Sequence, residues 1–179
     1  GFAIELEKPM ALTHPDASEV ARIAREAGVK LMVGMTTHYR PEMVLAKQFV
    51  RQGLIGEIMT IHEEIVIGLP REALMGYVAE ENGGGVLLEN GIHMLDHLLF
   101  FGGPIAKVES AFRDSRFLGG FHEDLAMFQA IHNSGVVSQG HLLWMPYKEA
   151  GGFSLTLYGT KGCVEVRGLD SVRLNVGGI

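Results

Sequence analysis

The sequence predicts a mixed α/β (α+β) chain: a short parallel β-α-β stretch, then a large, mostly antiparallel sheet flanked by helices. Three observations predict it. In the first 35 residues two short apolar runs enclose a segment with helical spacing of apolar side chains. After Gly102-Gly103-Pro104 the pattern changes to short alternating runs separated by turn residues. Glycine is abundant, 24 of 179 residues, about twice the usual ~7%, as a turn-rich sheet requires.

Each element follows in order. Phe2–Glu5 is an apolar strand, and Thr13 to Asp16 supplies helix-capping chemistry. Val20, Ile23, Ala24 and Ala27 then share one helical face, Gly28 ends the helix, and Lys30–Met35 makes a second strand. This is the grammar of a parallel α/β sheet, which one helix and two strands do not complete. Pro41 opens a helix whose apolar face is Leu45, Ala46, Phe49 and Val50, and Gly53 stops it. Glu57–Ile67 alternates as a long strand with Met59, Ile61, Ile65 and Ile67 on one side. Glu63 interrupts that apolar row, facing a cleft or an edge, while His62 and Glu64 lie opposite. Pro70 to Gly85 reads as loop, and Gly83-Gly84-Gly85 opens an apolar helix from Val86 to about Phe101. Strand-like runs follow at 105–113, 123–132, 136–145, 153–158, 163–167 and 171–176, with turns such as Asn133-Ser134-Gly135 between them.

Composition narrows the function classes. Fifteen Lys+Arg against 21 Asp+Glu give a net charge of −6, which argues against nucleic-acid or polybasic membrane partners. The single cysteine, Cys163, excludes an internal disulfide and fits a reducing, cytoplasmic setting. No apolar run reaches the ~18 residues of a membrane span. The start at Gly1 and the stop just after a strand-like run read as a fragment.

The helix at 86–101 carries the most chemistry. On one continuous helix Leu88, Ile92, Leu95 and Leu99 fall in a band about 60° wide, the expected buried stripe. Glu89, His93 and Asp96 share the flank of that stripe, and His97 points away from it. Glu89 and His93, four residues apart, can hydrogen-bond, which fixes the imidazole tautomer for general-base work. Capping or ion pairing is the alternative use of the same three side chains. His93 and His97 have zinc-ligand spacing with Glu89 one turn earlier, yet His97 lies off the cluster, so no metal is expected. Glu7-Lys8-Pro9 follows the first strand directly, at the carboxyl end where α/β sheets bind ligands. In isolation Lys8 reads as a surface lysine. No Gly-x-Gly-x-x-Gly, Walker loop or nucleophile elbow occurs.

Three motifs in order resemble the Gfo/Idh/MocA oxidoreductases, the glucose–fructose oxidoreductase and inositol dehydrogenase relatives. They are Glu7-Lys8-Pro9-Met10-Ala11-Leu12-Thr13, then Val33-Gly34-Met35 leading to Tyr39-Arg40-Pro41, then residues 83–96, Gly-Gly-Gly-Val-Leu-Leu-Glu-Asn-Gly-Ile-His-Met-Leu-Asp. The resemblance implies that residues 1–36 are the C-terminal part of a Rossmann domain binding NAD or NADP, through Glu7, Lys8 and Pro9 here. It implies that residues 37–179 are a substrate-binding and oligomerisation domain, assembling as a homodimer or homotetramer through the sheet. It implies an NAD(P)-dependent dehydrogenase acting on a sugar, cyclitol or related polyol. His93 would be the acid/base, Lys8 would sit near the reacting carbon, Asp96 would bind substrate with them, and Glu89 stands where the family has Asp. Thr36-Thr37-His38 replaces the family's Asn-Arg or Arg-Arg. With the glycine-rich loop absent, these 179 residues alone are expected to bind no nicotinamide tightly and to be inactive. Two other readings are a non-catalytic self-associating domain and a metal-assisted hydrolase using Glu89, His93 and His97.

Overall fold

The structure is a computed structural model that describes residues 1–80, 83–147, 151–168 and 170–177. Two units divide the chain, Gly1–Thr36 and Thr37–Ile179. In the first, strands β1 (Ala3–Leu6) and β2 (Lys30–Val33) pair in parallel, Ala3 opposite Lys30 and Leu6 opposite Val33. Helix α1 (His14–Glu26) connects them. It begins where expected because the Thr13 hydroxyl oxygen accepts from the Asp16 amide at 3.3 Å. It ends at Gly28, whose φ of +64° is a left-handed turn that glycine takes without strain. Val20 and Ala24 are half-buried, while Ile23 is exposed. The Lys8–Pro9 peptide bond is cis.

The second unit opens with a 3-10 turn, Thr36–Tyr39, whose first residue belongs to the preceding unit, and helix α2 (Pro41–Arg51). A seven-stranded sheet forms its body. The strands are β3 (Ile58–Gly68), β4 (Ile105–Asp114), β5 (Leu125–His132), β6 (Val137–Met145), β7 (Gly151–Gly159), β8 (Gly162–Arg167) and β9 (Ser171–Val176). Their order is β4-β5-β6-β3-β7-β8-β9. All neighbours are antiparallel except β3 and β6, so the mostly antiparallel expectation holds, with one parallel joint at the centre.

Helices cover one face of this sheet. Helix α2 packs on β8 and β9, α4 (Val86–Glu89) on β5 and β6, and α5 (Gly91–Gly102) on β3 and β6. Met43, Ala46, Ile61, Ile65, Met94, Leu98, Leu142, Trp144, Leu155 and Val164 fill the layer between. Burying each of the larger aliphatic side chains among them contributes roughly 1.5–3 kcal/mol. The other face carries a row in register across five strands: Phe112, Met127, His141, Glu64 and Ser154. A groove of about 590 Å³ runs along it.

The structure corrects the sequence reading in four places. Within the stretch expected to be loop, Arg71–Tyr77 is helix α3, anchored by buried Leu74 and followed by buried Val78 one turn on. Glu81 and Asn82 of that stretch lie outside the described residues, as do Gly178 and Ile179. The long helix expected at 86–101 breaks at Asn90, whose side-chain oxygen accepts from the Trp144 indole N–H at 2.7 Å. The buried stripe also differs: Met94, His97, Leu98 and Phe101 face the sheet, while Leu95 and Leu99 are 37% and 47% exposed. The segment is apolar on nearly every side, so periodicity alone does not choose its inward face. In α2 the expected Ala46, Phe49 and Val50 do pack on the core, joined by buried Glu42 and Met43, while Leu45 is exposed.

Candidate active site

Glycine at 140 sets the geometry. Gly140 lies on β6 directly opposite Glu63 of β3, and a Cβ there would stand 2.4 Å from Met94 Sδ of α5. Without that atom α5 settles close over the two strands, and His97 Nδ1 comes within 2.7 Å of Glu63 Oε1. Both side chains are essentially inaccessible to solvent. On its other side His97 Nε2 lies 2.9 Å from the Thr37 hydroxyl, and that hydroxyl lies 3.3 Å from His93 Nδ1. Glu63, His97, Thr37 and His93 therefore form one unbroken hydrogen-bonded row from the sheet to the N-terminal turn of α5.

Burial governs the charges in this row. Desolvation, reinforced by the negative charge of Asp96, raises the Glu63 carboxyl well above the usual carboxylate range. Desolvation lowers His97 to about 4; Arg40 and His38 push the same way, and Asp96 opposes them. Both shifts favour the neutral pair, Glu63 protonated and His97 uncharged. Glu63 Oε2 agrees: among the described residues it is buried with no hydrogen-bond partner, a position an ionised oxygen would hold at a cost of several kcal/mol.

A second pair flanks the row. His38 Nδ1 and Asp96 Oδ2 are 2.5 Å apart, and the His38 ring stacks on Phe100 with centroids 5.2 Å apart. Arg40 pairs with buried Glu42 and donates to the Gly168 carbonyl at 3.0 Å. A cavity of about 340 Å³ opens beside the row, lined by His93, Asn90, Thr37 and Arg40 among polar groups and by Ile65 and Phe153 among apolar ones. A pocket of this size, mostly apolar with a few convergent polar groups, suits a small organic molecule.

The expected site residues fall as follows. His93 lines the cavity, and Asp96, three residues on, pairs with His38. The Thr37 hydroxyl lies 3.3 Å from His93 Nδ1. Glu89 ends α4, half-buried. His97, expected to point away from the core, is 2% exposed, and both its ring nitrogens are engaged by Glu63 and Thr37. It is not available as a metal ligand beside Glu89 and His93, and no metal-binding cluster of three occurs among the described residues. Glu7, Lys8 and Pro9 lie in the first unit just past β1, where Glu7 Oε2 accepts from the Lys8 amide at 3.2 Å. Thr37, His38 and Glu63 had no assigned catalytic role in the sequence, and His97 had one only in the metal-assisted hydrolase reading. The legible signal was Glu63, an ionisable residue in the Ile61–Ile65 row, which burial obliges to find a partner.

Among the described residues no helix is long and apolar enough to cross a membrane. The family model for the GFO/IDH/MocA C-terminal domain matches residues 43–165. The 1,5-anhydro-D-fructose reductase of Ensifer adhaerens is 32% identical over 167 residues, covering 90% of this chain and 49% of the relative. The dTDP-3,4-didehydro-2,6-dideoxy-α-D-glucose 3-reductase of Streptomyces antibioticus is 31% identical over 104 residues, 58% of this chain and 31% of its own length. The chain thus spans about half or less of the curated relatives it matches. In fold it is similar to the WlbA dehydrogenase of Bordetella pertussis, solved with NADH and UDP-GlcNAcA, with a TM-score of 0.86 and 22% identity over 100% of this chain and 57% of that one.

Proposed function

The chain belongs to the GFO/IDH/MocA family of oxidoreductases, and from that premise we propose that it forms part of an NAD(P)-dependent dehydrogenase acting on a hydroxyl or keto group of a sugar, cyclitol or related polyol. One observation carries the reading: His93 lines a cavity of about 340 Å³ while its Nδ1 is held by Thr37. An imidazole oriented through one nitrogen is prepared to exchange a proton through the other. The names of the two curated reductases, both acting on sugar-derived ketones, support the substrate class.

The nicotinamide group, when bound, supplies the hydride chemistry. What fits it here is the carboxyl end of β1, in a parallel pair, followed at once by Glu7, Lys8 and Pro9. That edge is where open α/β sheets take their ligands, and the Lys8 ammonium offers a donor for a substrate oxygen. Residues 1–36 are read as the C-terminal part of the dinucleotide-binding domain and 37–179 as the substrate domain. Asp96 is assigned to substrate binding through its pairing with His38, and Glu89 to support of His93. The uncovered face of the sheet, with Phe112 and Met127 each 48% exposed, is read as a self-association surface.

The test is His93→Ala in the full-length protein. Turnover should fall by at least a factor of 10², with NAD(P) affinity measured by fluorescence titration unchanged. Turnover within twofold of the parent value would remove His93 from the chemistry.

A further inference from the structure

We propose that Glu63, His97 and Thr37 form a proton-conducting chain that ends on His93, with the buried Glu63 carboxyl as its proton store. The proposal rests on His93 as the acid–base group and adds where its proton comes from. The distances along the row are 2.7 Å from Glu63 to His97, 2.9 Å from His97 to Thr37 and 3.3 Å from Thr37 to His93. Each member has the right chemistry: a carboxyl, an imidazole and a hydroxyl each accept and donate.

The polarity of the row follows from its ends. With Glu63 protonated, its O–H donates to His97 Nδ1, His97 Nε2–H donates to Thr37 Oγ1, and the Thr37 hydroxyl donates to His93 Nδ1. His93 then carries its hydrogen on Nε2, the form that protonates a substrate oxygen. When that N–H bond breaks and an O–H bond forms on the substrate alkoxide, the Thr37 hydrogen passes to His93 Nδ1. The His97 Nε2 hydrogen replaces it on Thr37, and the Glu63 hydrogen moves to His97 Nδ1. The balance is one proton lost by the carboxyl and one gained by the alkoxide, with both imidazoles neutral before and after. In the oxidation direction the same shifts run backwards, and Glu63 collects the hydroxyl proton.

The surroundings favour this assignment. Facing the Glu63–His97 pair are Asp96 on α5, His38 and Arg40 from the segment before α2, and the Phe153 ring of β7 edge-on at 5.7 Å. Asp96 is paired to His38 and Arg40 to Glu42. Burial favours the protonated form of Glu63, in keeping with a store that is full before reduction.

The test reads histidine tautomers by NMR of the intact protein carrying ¹⁵N-labelled histidine, as the pH is raised through the ionisation of Glu63. His97 and His93 should convert together from the Nε2–H to the Nδ1–H form. Glu63→Gln, which keeps a hydrogen-bonding group but cannot ionise, should abolish both conversions. Thr37→Val should leave the His97 conversion and remove that of His93, and Thr37→Ser should restore it. A His93 tautomer that is the same at every pH, or one that still converts in Glu63→Gln or Thr37→Val, overturns the chain. If Thr37→Val does not fold, Glu63→Gln decides alone. Lost turnover in His93→Ala without tautomer coupling overturns the chain and leaves the proposed function standing; retained turnover in His93→Ala overturns both.

Discussion

Replacing Glu63 by Gln exposes the thermodynamics of the buried pair, because the amide keeps the shape and hydrogen bonding of the carboxyl but does not titrate. Glu63 has a folded pKa raised above its unfolded value of 4.5. Its contribution to stability is therefore full below pH 4.5 and is lost as the pH rises toward the folded value. His97 has the opposite sign. Its folded pKa of about 4 lies below 6.5, so its contribution is full above pH 6.5 and is lost as the pH falls toward 4. Each slope is about 1.4 kcal/mol per pH unit. Over the pH range above 4.5 in which the folded pair stays neutral they cancel, because the neutral folded pair binds as many protons as the ionised unfolded pair. In Glu63→Gln the His97 slope stands alone, so over that range, up to pH 6.5, the variant gains about 1.4 kcal/mol per pH unit on the parent protein. Comparing the two proteins removes the other carboxylates from the measurement. Urea unfolding at closely spaced pH values, followed by the fluorescence of buried Trp144, the single tryptophan, measures it. A stability difference that stays constant over that interval would mean that Glu63 is ionised in the folded protein, and the neutral-pair argument would fail.

Asp124 is buried and accepts three backbone amides, from Arg116 at 3.0 Å, Phe117 at 2.9 Å and Leu118 at 2.6 Å. Asp124→Ala should destabilise the protein by about 3–5 kcal/mol, read by urea unfolding, and Asp124→Asn should recover part of it; a loss under 1 kcal/mol would mean that water replaces the carboxylate. For the uncovered sheet face, sedimentation velocity should find the chain as a dimer or larger, and Phe112→Ser with Met127→Ser should return it to monomer; a monomeric parent protein contradicts the self-association reading.

The elements were legible wherever local chemistry decides them. Thr13 and Gly28 bracket α1, and Asn133-Ser134-Gly135 marks the turn between β5 and β6. The ordered motifs around Lys8, Arg40 and His93 were enough to recognise the family. What the sequence could not supply was phase and partnership. Between Val86 and Phe101 apolar residues lie on nearly every side of the helix, so a wrong stripe fits the helical period as well as the right one, and the Asn90–Trp144 hydrogen bond that breaks the helix joins residues far apart in the chain. His97 reads as outward-facing only against the stripe containing Leu95 and Leu99, which the structure leaves exposed. Thr37 reaches His93 and His97 across 56 and 60 positions of sequence, a contact no local pattern encodes. The helix at Arg71–Tyr77 was hidden by Gly76 and by its shortness, and tertiary anchoring through Leu74 outweighs both.

The central position of β3 has a kinetic consequence. Its two neighbours in the sheet are late segments of the chain: Thr60 meets Val137, and Ile67 meets Gly151. During synthesis β3 must wait for roughly 80 further residues before either edge is paired, and pairing at such separation closes large loops and is slow. Meanwhile both backbone edges of β3 are unpaired and the row containing Ile61 and Ile65 is an uncovered apolar face, a combination that invites aggregation or chaperone binding. Glu63 sits in the middle of that row. A charged carboxylate in an apolar run works against such association, and in the folded sheet the same side chain is the buried end of the His93 row.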